Sequence, residues 1–236
     1  MRWDFHFAAV RIANALSGQR TRAVRFVATR AQPALLNLGA GPRGVDDGHW
    51  VNVDGFRDTG VHFLVDLQRP LPFADATFDG VFSEHVLEHF TEEDGLRLAA
   101  EVARILKAGG VFRVVVPDGE FVMRSYFDDP DELVRYRGAG EPGETPMEMV
   151  NSFFRQRYEH QFMYDWPTMK RLLERAGLVD VVRSAYGASA AEPRLAIDHP
   201  KYARESLYVE ARKPGGGSEQ GDGHAAARTA ALEAAR

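Results

Sequence analysis

Leu35-Leu36-Asn37-Leu38-Gly39-Ala40-Gly41-Pro42-Arg43-Gly44 is the stretch on which the reading of this chain turns. A short apolar run stopped by glycines reads as a buried strand entering a tight loop. The loop spells G-x-G-x-x-G, a pattern that serves dinucleotides when a helix starts inside it and turns its N-terminus to the pyrophosphate. Here only residues 45–49 separate Gly44 from the next apolar run, Trp50–Asp54. At 1.5 Å of rise per residue that is little more than one turn, too short for a packed crossover helix. A pyrophosphate site would therefore lack its main anion-binding element. A cofactor without phosphates needs only the close backbone approach that glycine permits, and an acid for its ribose hydroxyls. Asp54 stands at the end of the second strand for that role.

Outward from this stretch, short apolar runs alternate with helical patterns, the signature of an α/β chain with a mainly parallel sheet. Val61–Leu67 reads as the third strand and Thr77–Ser83 as the fourth, after a loop containing Pro70, Pro72 and Asp75. Thr91 caps a helix with Asp94 three residues on; Leu96, Ala99, Ala103 and Leu106 form its apolar face, and Gly109-Gly110 is predicted to end it. Val111–Val116 is continuously apolar, as expected of a strand buried on both faces. Asp165 caps a later helix carrying Met169, Leu172, Leu173 and Ala176 and closed by Gly177; Val179–Tyr186 and Ser206–Arg212 read as the last strands. Residues from about 118 to 164 show no strong strand and read as an insertion.

In open α/β sheets ligands sit at the carboxyl ends of the strands. Gly39, Asp54, Asp66 and Ser83 all fall at such ends. Asp66 is placed to accept from an adenine amino group, with Leu67 beside the ring.

Four motifs together resemble the class I S-adenosylmethionine (SAM)-dependent methyltransferases of the type 11 group. They are Leu35–Pro42; Leu71-Pro72-Phe73-Ala74-Asp75-Ala76-Thr77-Phe78-Asp79; Ser83-Glu84-His85-Val86-Leu87-Glu88-His89-Phe90; and Leu106-Lys107-Ala108-Gly109-Gly110, where the family's turn has proline for Ala108. The likeness resumes at Leu172-Leu173-Glu174-Arg175-Ala176-Gly177-Leu178. It implies a Rossmann-like sheet of about seven strands with the last strand antiparallel, a helical insertion after strand five, and SAM as cofactor. Asn37, Gly39, Ala40 and Gly41 would line the methionine part, Asp54 the ribose, Asp66 and Leu67 the adenine, with Ser83 and Glu84 beside them. The sequence departs from the family at Asn37, where an acid is common, and in the missing first crossover helix, whose flank another segment such as the N-terminal helix would fill.

His85-x-x-Glu88-His89 matches a zinc-peptidase spacing in which a helix carries both histidines on one face. A zinc-dependent hydrolase is therefore one alternative function, and a SAM-binding protein without transferase activity is another. In the methyltransferase framework the segment sits at a strand end, no metal ligand set is expected, and Glu88 and His89 are expected to cap the turn or pack. His85 and His160 are the candidate general bases, because imidazole titrates near neutrality. Arg155, Arg157, Tyr158 and Tyr164 in the insertion are candidate binding groups for a small polar, sugar-containing acceptor.

The chain holds 236 residues and no cysteine, which excludes a disulfide framework, a thiolate zinc site and a cysteine nucleophile. Net charge of −5 argues against a nucleic-acid partner. Residues 1–30 carry six arginines against Asp4 alone, so this start is net +5 and the remainder −10. A basic helical extension over 1–32 is expected, packed on the domain by Phe5, Phe7, Val10 and Ile12, with peripheral membrane contact as the alternative use of its charge. The methyltransferase domain is expected over 33–213, a flexible Gly/Ser- then Ala-rich tail over 214–236, and a cytoplasmic location, with no run long enough to span a bilayer.

Overall fold

Leu35–Leu38 is buried at all four positions and forms strand β1. It pairs in parallel with β2 (Trp50–Asp54) on one side and β4 (Phe78–Glu84) on the other. The computed structural model describes residues 4–135 and 143–215. With β3 (Phe63–Leu64), β5 (Leu106–Pro117), β6 (Val179–Arg183) and β7 (Ser206–Arg212) it gives a seven-stranded sheet, ordered β3-β2-β1-β4-β5-β7-β6. β7 alone runs antiparallel, against both β5 and β6. Strand order reverses at β1 and β4, the switch point where ligands of such sheets bind.

Helices α3 (Glu92–Ile105) and α7 (Trp166–Arg175) cover one face. Leu98, Val102 and Ile105 of α3 meet Leu36, Val81, Phe112 and Val114 in the main core. Each such side chain contributes about 1.5–3 kcal/mol on burial. Thr91 accepts from the Asp94 amide and Asp165 from the Thr168 amide, so both predicted N-caps hold. The other face buries Leu35, Trp50, Phe82 and Val115 beneath Leu195, which belongs to the β6–β7 connection. That connection is anchored by Arg113 of β5, whose side chain is fully buried. Its guanidinium binds Asp198 (2.9 and 2.5 Å), Glu210 (3.1 Å), Ser184 Oγ (2.9 Å) and the carbonyls of Ala185 and Ala188 (both 2.8 Å).

Several boundaries differ from expectation. β3 shrinks from seven residues to two, although the amides of His62 and Val65 still reach Asn52 O and Asp54 O. The Leu106–Gly110 run does not end α3; the helix stops at Ile105 and the run is a bulge at the start of β5, where pairing jumps from Phe78↔Leu106 to Gly80↔Val111. Lys213 holds the bulge, its ammonium on Leu106 O (2.7 Å) and its carbonyl on the Gly109 amide (3.0 Å). β6 ends at Arg183, after a register shift beside left-handed Asp180.

The insertion contains α4 (Gly119–Asp128), α5 (Pro130–Arg135) and α6 (Pro146–Arg155) around Val122, Leu133, Met149 and Phe153; its Pro142 lies outside the described residues. At the N-terminus α1 (Asp4–Leu16) and α2 (Gln19–Val27) form. Val10 is buried and Phe7 packs against Phe56 and Gly55, as expected, but Phe5 and Ile12 are 92% and 62% exposed, contrary to the expected packing. Polar groups also hold α1: His6 to Gly55 O (2.8 Å) and Asn14 to Leu64 O (2.9 Å). Of the 214–236 tail, residues 216–236 lie outside the described residues, as does Arg2.

Candidate functional site

The glycine loop leaves β1 with Gly39 at φ +75° and Gly41 at φ +49°, in the left-handed region that favours glycine. A Cβ on Gly39 would come within 2.2 Å of Val86 Cγ2, whereas one on Gly41 would point into open space. The amides of Gly39 and Ala40 both donate to Val53 O (2.9 and 3.0 Å), and the Gly41 amide donates to Asp54 Oδ2 (2.8 Å). No helix links β1 to β2. The Asn52 carboxamide takes over, binding the amide and carbonyl of Val45 (3.1 and 2.8 Å).

Below the loop lies a cavity of about 40 Å³ lined by Asn37, Gly39, Ala40, Arg43, Phe82 and Glu84 among others. Arg43 closes it by pairing with Glu84 and lying 5.4 Å from the centre of the Tyr202 ring. Glu84 Oε1 also accepts from the His199 amide (2.8 Å). Burial raises the Glu84 carboxyl above its usual range, against the pull of that amide and of Arg43. A nucleoside-sized ligand fills roughly 300 Å³ or more, so its entry requires the half-exposed Arg43 side chain to swing out.

Asp54 and Asp66 flank this cavity on the next two strand ends. Asp54 accepts the amides of Gly41 and Phe56. Asp66 accepts the Gln68 amide (3.0 Å) and pairs with Arg11 of α1 (2.6 Å). Leu67 is buried beside it. α1 thus reaches the end of β3 through Arg11. Ser83 Oγ is buried with no hydrogen-bond partner among the described residues. An orphaned hydroxyl, open space at Gly41 and carboxylates on three successive strand ends suit a cationic, ribose-bearing cofactor.

His85 follows β4 in a left-handed conformation (φ +54°). Its Nε2 lies 2.9 Å from Ser206 Oγ and its ring stacks on Tyr202 at 4.0 Å. Burial, reinforced by neighbouring His160 and Arg43, pushes its pKa down to about 3. Leu87–His89 makes a single 3₁₀ turn, not an α-helix. His85 and His89 therefore do not share a helical face, and the zinc-peptidase geometry expected of H-x-x-E-H is not formed. Glu88 does not cap the turn; it is completely buried.

The remaining sequence-predicted residues do not assemble into one set. His160 is buried, its Nδ1 2.6 Å from Phe153 O, and burial pushes its pKa down to about 4. Arg155, Arg157 and Tyr158 lie exposed on a kink with left-handed backbone at 156–158. Tyr164 is fully buried and stands apart from them, its carbonyl accepting the Gly119 amide (2.8 Å). Sequence reasoning missed Arg11, Arg43, His199 and Tyr202. Arg43 was visible inside the glycine loop itself; Tyr202 and His199 sit in a connection with no local pattern.

Residues 50–122 match the methyltransferase domain family of type 11. The match begins at β2 and runs through the Ser83–Phe90 segment to α4. Over those residues the chain is similar to a methyltransferase domain. The glycine loop, Gly39–Gly44, lies before the matched segment. Among solved structures, one similar chain belongs to a complex of the Haloferax volcanii Trm112 methyltransferase activator with a methyltransferase (19% identity, 86% of this chain and 96% of that one, TM-score 0.48). Another is a SAM-dependent methyltransferase from Thermotoga maritima (18% identity, 90% and 93%, TM-score 0.48). A third is Haemonchus contortus phosphoethanolamine N-methyltransferase 2, solved with SAM (15% identity, 84% and 52%, TM-score 0.45). No curated protein matches the sequence. No helix among the described residues is long and apolar enough to cross a membrane.

Proposed function

We propose that residues 33–213 transfer a methyl group from SAM to a nitrogen or oxygen of a small polar acceptor, in the cleft between the glycine loop and the turn after β4. The observation that carries this reading is the succession of Gly39–Gly41, Asp54, Asp66 and Ser83-Glu84 at the carboxyl ends of β1 to β4. Asn37, Gly39, Ala40 and Gly41 would hold the methionine part, Asp54 the ribose, and Asp66 with Leu67 the adenine. Glu84, freed from Arg43, would face the cationic end of the cofactor.

SAM supplies a methyl group already activated on a sulfonium. The chain's own contribution is then alignment and exclusion of water. His85 is held neutral by burial and fixed by Ser206 and Tyr202, so it orients the acceptor rather than ionising it. This favours acceptors that arrive in nucleophilic form, such as an unprotonated amine. Arg155, Arg157 and Tyr158, exposed on the rim of the insertion, would meet the polar, sugar-bearing end of such an acceptor.

Calorimetric titration of the full chain with S-adenosylhomocysteine tests the assignment. Asp54→Ala is expected to weaken binding at least tenfold, by removing the ribose acceptor and releasing the Gly41 amide. Arg11→Ala is expected to tighten it a few-fold, since Arg11 occupies Asp66 Oδ2. Equal affinities for wild type and Asp54→Ala would refute the site. Transfer of labelled methyl to a panel of amines, hydroxyl compounds and sugars then identifies the acceptor.

A further inference from the structure

Where the end of the insertion meets the turn after β4, three potential ligands converge on a buried point. One ligand atom each from Glu88, His89 and His160 lies within 4.8 Å of the others. Glu88 is completely buried, yet neither carboxylate oxygen has a hydrogen-bond partner among the described residues. His160 Nε2 is equally buried and equally without one. A buried carboxylate left this way carries the full desolvation penalty, so such groups normally mark an ion or water.

The orientation of the two imidazoles is more telling. His89 Nδ1 lies 3.2 Å from Glu159 O and His160 Nδ1 lies 2.6 Å from Phe153 O. A carbonyl accepts only from a protonated nitrogen, so both rings are held as Nδ1–H tautomers that carry the lone pair on Nε2, and that of His160 lies 4.0 Å from Glu88 Oε1. A backbone carbonyl behind each ring is the usual support of a metal-ligating histidine. The segments are also locked together without any ion. The amides of Gln161 and Phe162 donate to Glu88 O (2.8 and 3.2 Å), and the Gln161 side chain donates to His89 O (3.0 Å).

We propose that Glu88, His89 and His160 bind one divalent transition-metal ion, of the class that zinc represents, through Glu88 carboxylate and the Nε2 atoms of both histidines. Two imidazoles and one carboxylate suit zinc and also ferrous iron. Bonds of about 2.0–2.1 Å place tetrahedral ligand atoms about 3.3 Å apart. His160 Nε2 is 4.0 Å from Glu88 Oε1, so small side-chain rotations close the site. His85 borders the site without joining the three convergent ligands: its Nδ1 is 3.5 Å from Glu88 Oε1 and its Nε2 is engaged by Ser206. The ion would tie the end of the insertion to the turn after β4, fixing the wall against which an acceptor rests. Its binding does not depend on the cofactor assignment above.

The full chain, purified without chelator, is analysed for metals, then stripped and titrated with zinc and with cobalt. One equivalent per chain is expected, with a rise in Tm and a cobalt visible spectrum of a four- or five-coordinate nitrogen–oxygen site. Glu88→Gln removes the anionic ligand with little change in shape; His160→Gln removes a ring nitrogen. Each is expected to lower affinity at least 100-fold, while His49→Asn, at the entry to β2 and held by Pro33 O, leaves it within about threefold. Circular dichroism verifies that each variant is folded, and whichever ligand variant folds suffices for the comparison. Absence of stoichiometric ion uptake by the folded wild type overturns the proposal, as does wild-type affinity in a folded ligand variant or equal loss in His49→Asn. Iron rather than zinc in the purified protein would identify the occupant within the same ligand set.

Discussion

Arg113→Met removes the one fully buried cation among the described residues. The substitution keeps most of the side chain's length and takes away six hydrogen bonds, three of them to Asp198 and Glu210. Both carboxylates are buried, so they would be left as uncompensated charges. Breaking such a pair on one side costs about 3–5 kcal/mol, far more than a surface ion pair. For a chain of this length each kcal/mol moves Tm by about 2–4 °C, which places the expected fall at about 6–20 °C. Thermal unfolding followed by circular dichroism measures it. The partial replacement Arg113→Met/Asp198→Asn/Glu210→Gln should recover part of the loss, because neutral amides tolerate burial better than charges. The effect should also reach the cofactor cavity, since Asp198 adjoins His199, whose amide holds Glu84. A fall in Tm of less than about 2 °C for the single variant, with no recovery in the triple one, would refute the view that this network secures the β6–β7 connection.

The two loop glycines should respond differently to alanine. Gly39→Ala forces a Cβ into Val86 and is expected to destabilise the fold by about 1–3 kcal/mol; Gly41→Ala meets no atom, so it should cost only the left-handed backbone strain of about 1 kcal/mol while weakening S-adenosylhomocysteine binding by filling the open space. Urea unfolding and calorimetry separate the two outcomes, and equal destabilisation would contradict the geometry. Asp118 caps α4 by accepting the Glu120 amide (2.9 Å), yet burial raises its pKa above 3.8, outweighing that amide. The native state then binds the proton more tightly than the unfolded chain, so this group's contribution to stability falls as pH rises from 3.8 through the raised value and is flat above it. Asp118→Asn keeps the cap and should lose that slope; urea midpoints between pH 3.5 and pH 7, on an approximate one-unit grid, test it, and a difference that instead grows with pH in the wild type's favour would reverse the sign.

Local periodicity and capping are short-range properties, and they carried the reading as far as they reach. β1, β2, β4 and β7 fall within a residue or so of expectation because their apolar runs are bounded by residues that stop a strand. β3 does not, since Val61–Leu67 is apolar enough for seven residues but β2 offers only Val53 and Asp54 as partners. The same limit separates the two halves of the site. Asp54, Asp66 and Ser83 were legible because a parallel sheet places successive strand ends together whatever the loops do. Arg11, Arg43 and Tyr202 were not, because each meets its partner across dozens of residues with no periodic signal: Arg11 and Asp66 are 55 apart, Arg43 and Glu84 are 41 apart.

The H-x-x-E-H run shows where the limit misleads rather than merely stops. Its spacing reads as two histidines on one helical face only if the backbone is helical. Left-handed His85 breaks that condition, sending its ring to Ser206 and Tyr202 and leaving Glu88 and His89 to face the insertion. His160, 71 positions beyond His89, then supplies the second imidazole, held by the carbonyl of Phe153. A spacing therefore constrains ligands only together with the backbone conformation that realises it. The contrast lies at His160, where a substitution removes the ligand that no motif in the sequence announces.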